Sequence, residues 1–273
     1  MSNIFIFSNF TKPQTAKVTS QVIQFLNEHQ MYVFVEDKYA DTKTKKLSTI
    51  PPEDIDYCIS IGGDGTILEF LHTFSKIKAP LLGINLGKLG FLADVRLDEL
   101  IPSLKAFVNQ EFNIEERLML EYNNLFALND IVIHRASNPA LIELNIHVDG
   151  NYFNTFRADG IIIATPTGST AYSLSAGGPI ITPSIKALCL TTICPHAISN
   201  RPIVFLPEKE LVVEYISPYK PVEVTIDGIT QFHLKTKESL TIHIAKRTFK
   251  LLNLQKIDTF ATLRNKLNWS GKF

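Results

Sequence analysis

The sequence predicts an α/β N-terminal domain with a mostly parallel sheet, followed by a β-rich C-terminal domain. Three observations carry this expectation. Across residues 1–116, short apolar runs alternate with segments whose apolar residues recur at helical spacing. After about residue 117 the pattern changes to many short strand-like runs with few helical ones. The chain of 273 residues, 45% hydrophobic and 20% charged, suits one large or two modest folded domains.

The elements follow in order. Asn3–Phe7 reads as a strand, and residues 13–28 as a helix, with Pro13 at its start and Val18, Val22, Phe25 and Leu26 on one face. Tyr32–Val35, Tyr57–Ile61 and Leu81–Asn85 are further strands. Ile67–Phe74 and Leu97–Val108 have helical spacing. Strands alternating with helices imply a sheet covered on both faces. In the second part, Leu141–Val148 and Tyr152–Phe156 flank a tight Asp149-Gly150 turn, and Ile161–Ala164 is a short, wholly apolar run. Strand-like runs recur at 203–206, 211–216, 222–226, 232–234, 240–244 and 249–252, and Thr259–Asn268 again looks helical.

Lys plus Arg total 27 and Asp plus Glu total 27, so no global field draws the chain to nucleic acid or to an anionic membrane. The Met1–Phe7 start lacks the charged region and long apolar run of a signal peptide. No stretch reaches the roughly 18 apolar residues of a membrane span. The odd set Cys58, Cys189 and Cys194, without a Cys-x-x-Cys pair, argues against a disulfide framework or a zinc site and predicts buried or inert thiols. A cytoplasmic protein is the expectation. His134, His147 and His243 fall in strand patterns without metal-ligand spacing, and read as structural.

Three segments carry chemistry. Gly62-Gly63-Asp64-Gly65-Thr66 lies between a strand and a helix, at the carboxyl end of a parallel sheet where ligands bind. Glycines there admit close approach of a phosphate. Two readings of Asp64 stand: a carboxylate that accepts a hydroxyl's hydrogen bond or proton, or the cap of a plain tight turn. Neither a Walker A loop nor Gly-x-Gly-x-x-Gly is present. The second segment runs from Arg157 and Asp159-Gly160 through the buried strand to Thr165-Pro166-Thr167-Gly168-Ser169-Thr170-Ala171-Tyr172 and Ser175. Its hydroxyls and N–H groups suit ribose or phosphate, and Tyr172 suits a base or the core; a Ser/Thr-capped helix is the bland alternative. The third is Asn129-Asp130, either a nucleotide contact or a turn. Asp227-Gly228 reads by default as a hairpin turn.

In Gly62–Thr66, Asn129-Asp130 and the Asp159-Gly160 to Tyr172 stretch, taken in that chain order, the sequence resembles the NAD kinases. Gly83–Phe91 and Cys194–Pro202 also look like that family, and the resemblance covers roughly residues 57–230. Diacylglycerol kinases, sphingosine kinases and phosphofructokinases carry versions of the first motif. The Thr165–Tyr172 run is far more specific. It disfavours lipid or sugar-phosphate kinases, and retention of Asp64 argues against a non-catalytic dinucleotide sensor.

The resemblance implies a nucleotide-binding α/β domain over 1–116, a β-sandwich-like NAD-binding domain over 117–252, and a segment 253–273 that returns to the first domain. It implies NAD in the cleft between the domains, and transfer of the terminal phosphoryl group of ATP or polyphosphate to the 2′-hydroxyl of the adenosine ribose. A divalent ion, Mg²⁺, would be held mainly by the nucleotide phosphates, with no cluster of protein ligands. Asp64 becomes the general base and Gly65 lines the phosphate site. Asn129 and Asp130 contact NAD, with Asp130 near the nicotinamide side. Arg157 and Asp159 lie beside the cleft, and Thr170, Ala171, Tyr172 and Ser175 contact adenine and ribose. A homodimer or homotetramer, with neighbouring chains completing the site, is implied as well. Two departures stand out: the family often has Asn-Glu where this chain has Asn129-Asp130, and a Gln after the late Asp-Gly where this chain has Ile229, with Gln231 near.

Overall fold

The structure, a computed structural model, describes residues 1–87, 90–93, 95–197, 199–254, 259–267 and 269. Lys88 and Leu89 of the Gly83–Phe91 motif, Ile198 of Cys194–Pro202, and Lys256 and Asn268 near the end lie outside the described residues. The chain forms two compact units, Met1–Glu116 with Lys250–Phe273, and Arg117–Phe249.

The first unit contains, in order, β1 (Asn3–Ser8), α1 (Thr15–Glu28), β2 (Tyr32–Val35), β3 (Lys45–Lys46), β4 (Tyr57–Gly62), α2 (Asp64–Thr73), β5 (Leu81–Asn85), β6 (Val95–Arg96), α3 (Leu100–Val108) and β7 (Asn113–Arg117). The period-two alternation of a strand explains its layers. Ile4 and Ile6 of β1, with Ile59 and Ile61 of β4, share one core with Val18, Val22 and Leu26 of α1 and Leu104 and Phe107 of α3. Phe5 and Phe7 point the other way, against Phe70 and Phe74, with ring centroids 5.0–6.1 Å apart. Burial on both faces is why β1 and β4 are near-continuous apolar runs.

The second unit contains β8 (Leu120–Tyr122), β9 (Leu125–Ala127), β10 (Asp130–His134), β11 (Ile142–Val148), β12 (Asn151–Ala158), β13 (Gly160–Ala164), α4 (Tyr172–Ser175), β14 (Leu188–Ile193), β15 (Ile203–Phe205), β16 (Leu211–Tyr215), β17 (Val222–Ile226), β18 (Thr230–Leu234) and β19 (Ser239–Ile244). Two six-stranded sheets form, ordered β15-β14-β13-β10-β17-β18 and β12-β11-β16-β19-β8-β9, and all their recorded pairings are antiparallel. One core draws on both: Ile131, Ile133, Ile161 and Ile163 from the first sheet, Leu144, Ile146, Val213 and Ile242 from the second. The outer face of the first sheet is covered too, where Val132, Ile162 and Ala164 pack with Ile181 and Cys189. That double coverage explains the wholly apolar Ile161–Ala164 run.

The chain then re-enters the first unit through β20 (Phe249–Asn253) and α5 (Thr259–Lys266). Leu251 pairs with Leu81, which gives a sheet ordered β3-β2-β1-β4-β5-β20-β7, with β6 beside β5. Leu252 joins the α1/α3 core. The recorded pairings of this sheet are all parallel. No helix among the described residues is long and apolar enough to cross a membrane.

Ile163 is fully buried at the centre of the inter-sheet core. Ile163→Ala should lower the stability of the chain by about 2–5 kcal/mol in urea unfolding, through lost transfer energy plus a cavity. A loss below about 1 kcal/mol would mean that this core is not packed as described.

Candidate functional site

In the first unit the site begins at the strand order. β1 has β2 on one side and β4 on the other, so the direction of winding reverses between β1 and β4. Ligands of open α/β sheets bind beyond the strand ends at such a reversal. The turn that leaves β4 there is Gly62–Thr66, with Gly63 as the N-cap of α2.

Asp64 opens α2, and its carboxylate is held by a second loop. Phe91 N–H donates to Oδ2 at 2.8 Å, while Leu92 and Ala93 N–H donate to Oδ1 at 3.1 Å each. A carboxylate offers roughly four lone-pair positions, so about one remains on Oδ2. Gly90 belongs to the same device, because a Cβ there would overlap the Asp64 carboxylate. Gly65 differs: a Cβ there would meet nothing within 4 Å. The open side of the turn is therefore beside a carboxylate that is fixed in place but not saturated. Asp64 is the first residue of α2 and not its cap, and its oxygens anchor a distant loop while leaving about one acceptor position.

In the second unit, Asn129 and Asp130 stand at the start of β10. Asp227, in the β17–β18 turn, holds them: Leu128 N–H donates to Oδ2 at 2.9 Å, Asn129 and Asp130 N–H to Oδ1 at 2.8 and 3.1 Å. The Asp227 N–H donates to Asp130 O at 3.0 Å. Positive φ at Asp227 (52°) and Gly228 (66°) makes the turn that aims this carboxylate. Thr165 holds the same backbone from the other side, its N–H on Asn129 O at 2.8 Å and its hydroxyl on Leu128 O at 2.6 Å. Gly168 lies so close that a Cβ would overlap the Asn129 carbonyl. The Asn129-Asp130 pair and the Thr165–Ser175 segment are thus one assembly.

Along that segment the roles divide. Thr165, Thr167, Ser169 and Ser173 are buried, and the Ser169 hydroxyl donates to Pro166 O while accepting from Ile181 N–H. These hydroxyls hold the turn. Thr170 and Ala171 are half-buried, and Tyr172 and Ser175 are exposed, so the side chains free to meet a ligand come from 170–175.

Asp130 is 5% exposed, and no hydrogen bond reaches its carboxyl group from the described residues. Burial, and then the neighbouring Asp227 carboxylate, push its pKa up to about 7. A buried acid without a donor is costly unless something outside the chain supplies one.

Arg157 and Asp159 do not join this assembly within one chain. In the antiparallel β10–β13 pair, Asp130 faces Ala164 and His134 faces Gly160. Asp159, one residue before Gly160 and five from Ala164, is thus at the opposite end of the pair, ~17 Å away at roughly 3.4 Å per residue. There Arg135 Nε lies 2.7 Å from Asp159 Oδ1. The Arg157 side chain is exposed on β12 and borders a cavity of about 260 Å³ with His196 and Asn200.

Sequence reasoning passed over Lys12, whose ammonium donates to Gly62 O at 3.3 Å, and the holding role of Asp227. It also passed over Arg135. Only the strand-end position of Lys12 signalled it. Volume is no guide: a cavity of about 580 Å³ sits by Thr73–Ile77, at the far end of α2 from Asp64. Of the thiols, Cys58 and Cys189 are buried and Cys194 is exposed; burial pushes the Cys58 thiol up, so it is inert.

Residues 4–112 match the ATP-NAD kinase N-terminal domain, and residues 128–254 the ATP-NAD kinase C-terminal domain. The chain belongs to the NAD kinase family. An NAD kinase of Protochlamydia amoebophila (strain UWE25) is 51% identical over 275 residues, covering 98% of this chain and 99% of that protein. One from Geotalea daltonii (strain DSM 22248 / JCM 15807 / FRC-32) is 36% identical over 285 residues, covering all of both. The crystal structure of yeast NADH kinase complexed with NADH covers 100% of this chain and 89% of its own, with TM-score 0.85 and 27% identity. As a member of the NAD kinase family the chain is an enzyme.

The Asp130 environment has a consequence for stability. The folded chain keeps this proton up to about pH 7, whereas an ordinary aspartate releases it near 3.8. Folding therefore takes up a proton between those values. The associated stability is complete below the lower value and is lost as pH rises through the upper one. Asp130→Asn removes this dependence, so the variant should gain stability relative to the parent as pH rises from about 4 to about 8. Parallel melting curves across that range would contradict the assignment.

Proposed function

We propose that the chain transfers the terminal phosphoryl group of ATP, or of polyphosphate, to the 2′-hydroxyl of the adenosine ribose of NAD, yielding NADP. The observation that carries this reading is Asp64: a carboxylate fixed by three backbone N–H groups, with one acceptor position left, beside the open Gly65. Family membership supplies the substrate class.

In this reading the 2′-oxygen forms a bond to the terminal phosphorus. The bond from that phosphorus to its bridging oxygen breaks, and ADP or a shortened polyphosphate leaves. The hydroxyl proton passes to Asp64 as the new bond forms. Holding the carboxylate beforehand removes the cost of orienting it at the moment of reaction. Gly65 leaves room for the donor phosphates. Asn129 and the unpartnered Asp130 take polar groups of NAD, with Asp130 on the nicotinamide side. Thr170, Ala171, Tyr172 and Ser175 receive the adenosine part, and the exposed Tyr172 ring is available for stacking.

No group of three or more His, Cys, Asp or Glu among the described residues has the arrangement to hold a metal ion. In this reading Mg²⁺ enters with the nucleotide, bound to its phosphates. A homodimer or homotetramer belongs to the same reading. It is supported by the separation of Arg157 and Asp159 from Asn129 within one chain, and by exposed Tyr152 and Phe153 on the edge strand β12. A cytoplasmic location is part of it as well, supported by three free cysteines.

Incubation of the purified chain with NAD, ATP and Mg²⁺ should give NADP by mass spectrometry. Asp64→Asn should lower kcat by roughly 10²–10⁴-fold, the usual worth of a general base, with NAD affinity nearly unchanged. Retention of normal kcat in that variant would remove Asp64 from the role.

A further inference from the structure

Lys12 sits at the sheet reversal, in the β1–α1 loop. The loop is built to hold it there. Asn9 N–H donates to Ile61 O at 3.0 Å, which ties the end of β1 to the end of β4. The Asn9 side-chain oxygen takes the Thr11 N–H at 3.0 Å and its hydroxyl at 2.6 Å. The Thr15 hydroxyl donates to Asn9 O at 2.6 Å. Pro13 restricts the Lys12 backbone to extended conformations.

The half-buried side chain then lies across the glycine turn. One of its three N–H groups reaches Gly62 O at 3.3 Å, and the ammonium stands 3.5 Å from where a Gly63 Cβ would be. Among the described residues no carboxylate lies within ion-pair distance of it. A solvated surface lysine has no need of a preformed loop that lays its head group along a glycine turn. A partly desolvated ammonium with two unused donors calls for an anion from outside the chain.

We infer that Lys12 is a donor-binding residue: its ammonium contacts the phosphate chain of the phosphoryl donor at the Gly62–Gly65 turn. This rests on the phosphoryl-transfer reading for the location of the donor. The ligand chemistry is a linear triphosphate or longer, whether of a nucleotide or of inorganic polyphosphate. A point charge at that place offsets the charge of the phosphate chain and positions it, while contributing nothing to NAD.

The test is calorimetric binding of ATP and of inorganic tripolyphosphate, each with Mg²⁺, to the full chain and to Lys12→Gln and Lys12→Arg. Steady-state KM values for donor and NAD are measured alongside. In Lys12→Gln, both donors should bind at least about ten-fold more weakly, with the KM for NAD within about two-fold and an unchanged melting temperature. Lys12→Arg should recover most of the loss. Equal donor affinity in Lys12→Gln, failure of the parent chain to bind either donor, or a matched rise in both KM values with a lower melting temperature would each overturn the assignment. If donor binding falls as expected but the parent chain makes no NADP, Lys12 stands and the proposed reaction fails.

Discussion

One interaction recurs at three loops of this chain: an aspartate that accepts three successive backbone N–H groups. Asp64 holds Phe91, Leu92 and Ala93; Asp227 holds Leu128, Asn129 and Asp130; Asp149 holds Glu208, Lys209 and Glu210. Three parallel donors pointing one way form a local positive pole that only an anion can satisfy fully. Hydrogen bonds to a charged acceptor are each worth about 1.5–3 kcal/mol net. Asp227 is buried, so water screens its bonds little. Asp149 is half-buried, and its three N–H donors hold its carboxyl below the usual carboxylate range.

Asp149 and Asp227 build the clamp identically. Each has positive φ in an Asp-Gly turn, and each sends its own N–H back to the third residue of the captured loop, Glu210 or Asp130. The Asp149 copy ties the β11–β12 turn to the Glu208–Glu210 loop and holds no residue assigned to the reaction, so there the device is structural. At Asp227 it is put to use: it fixes the backbone of Asn129-Asp130 and places a negative charge beside a buried acid. At Asp64 the same chemistry goes further, because the clamping carboxylate is itself the proposed acceptor of the substrate proton. Its hold on Phe91–Ala93 and its last free acceptor position belong to one side chain. Reaction geometry and loop order therefore stand or fall together.

The fold was legible where burial is simple. Tyr32–Val35, Leu81–Asn85 and Val222–Ile226 were read with the bounds they have, because each is an unbroken or alternating apolar run. Leu188–Ile193 was missed: Cys189 and Thr191 blur its pattern, although both are buried. The short strands from Asn113 to Ala127 carry exposed and intermediate positions, and β7 and β8 gain their order from β20 and β19, far along the chain. The glycine turn and the Thr165–Tyr172 run were readable because their residue types are unusual at that density. Asp227 passed for an ordinary turn, since its partners lie 97–99 residues away. Lys12 left little trace for a similar reason, its acceptor being 50 residues distant. What local pattern encodes is visible in a sequence; what a side chain reaches across the fold is not. The exposed Cys194 belongs to the second kind as well.

The most direct measurement is a crystal structure of the chain with NAD bound and no donor. The account predicts an Asp64 carboxylate oxygen within about 3.2 Å of the 2′-hydroxyl of the adenosine ribose, with the bonds from Phe91, Leu92 and Ala93 intact. A 2′-hydroxyl bound elsewhere, or an Asp64 that must release those three N–H groups to reach it, would contradict the account.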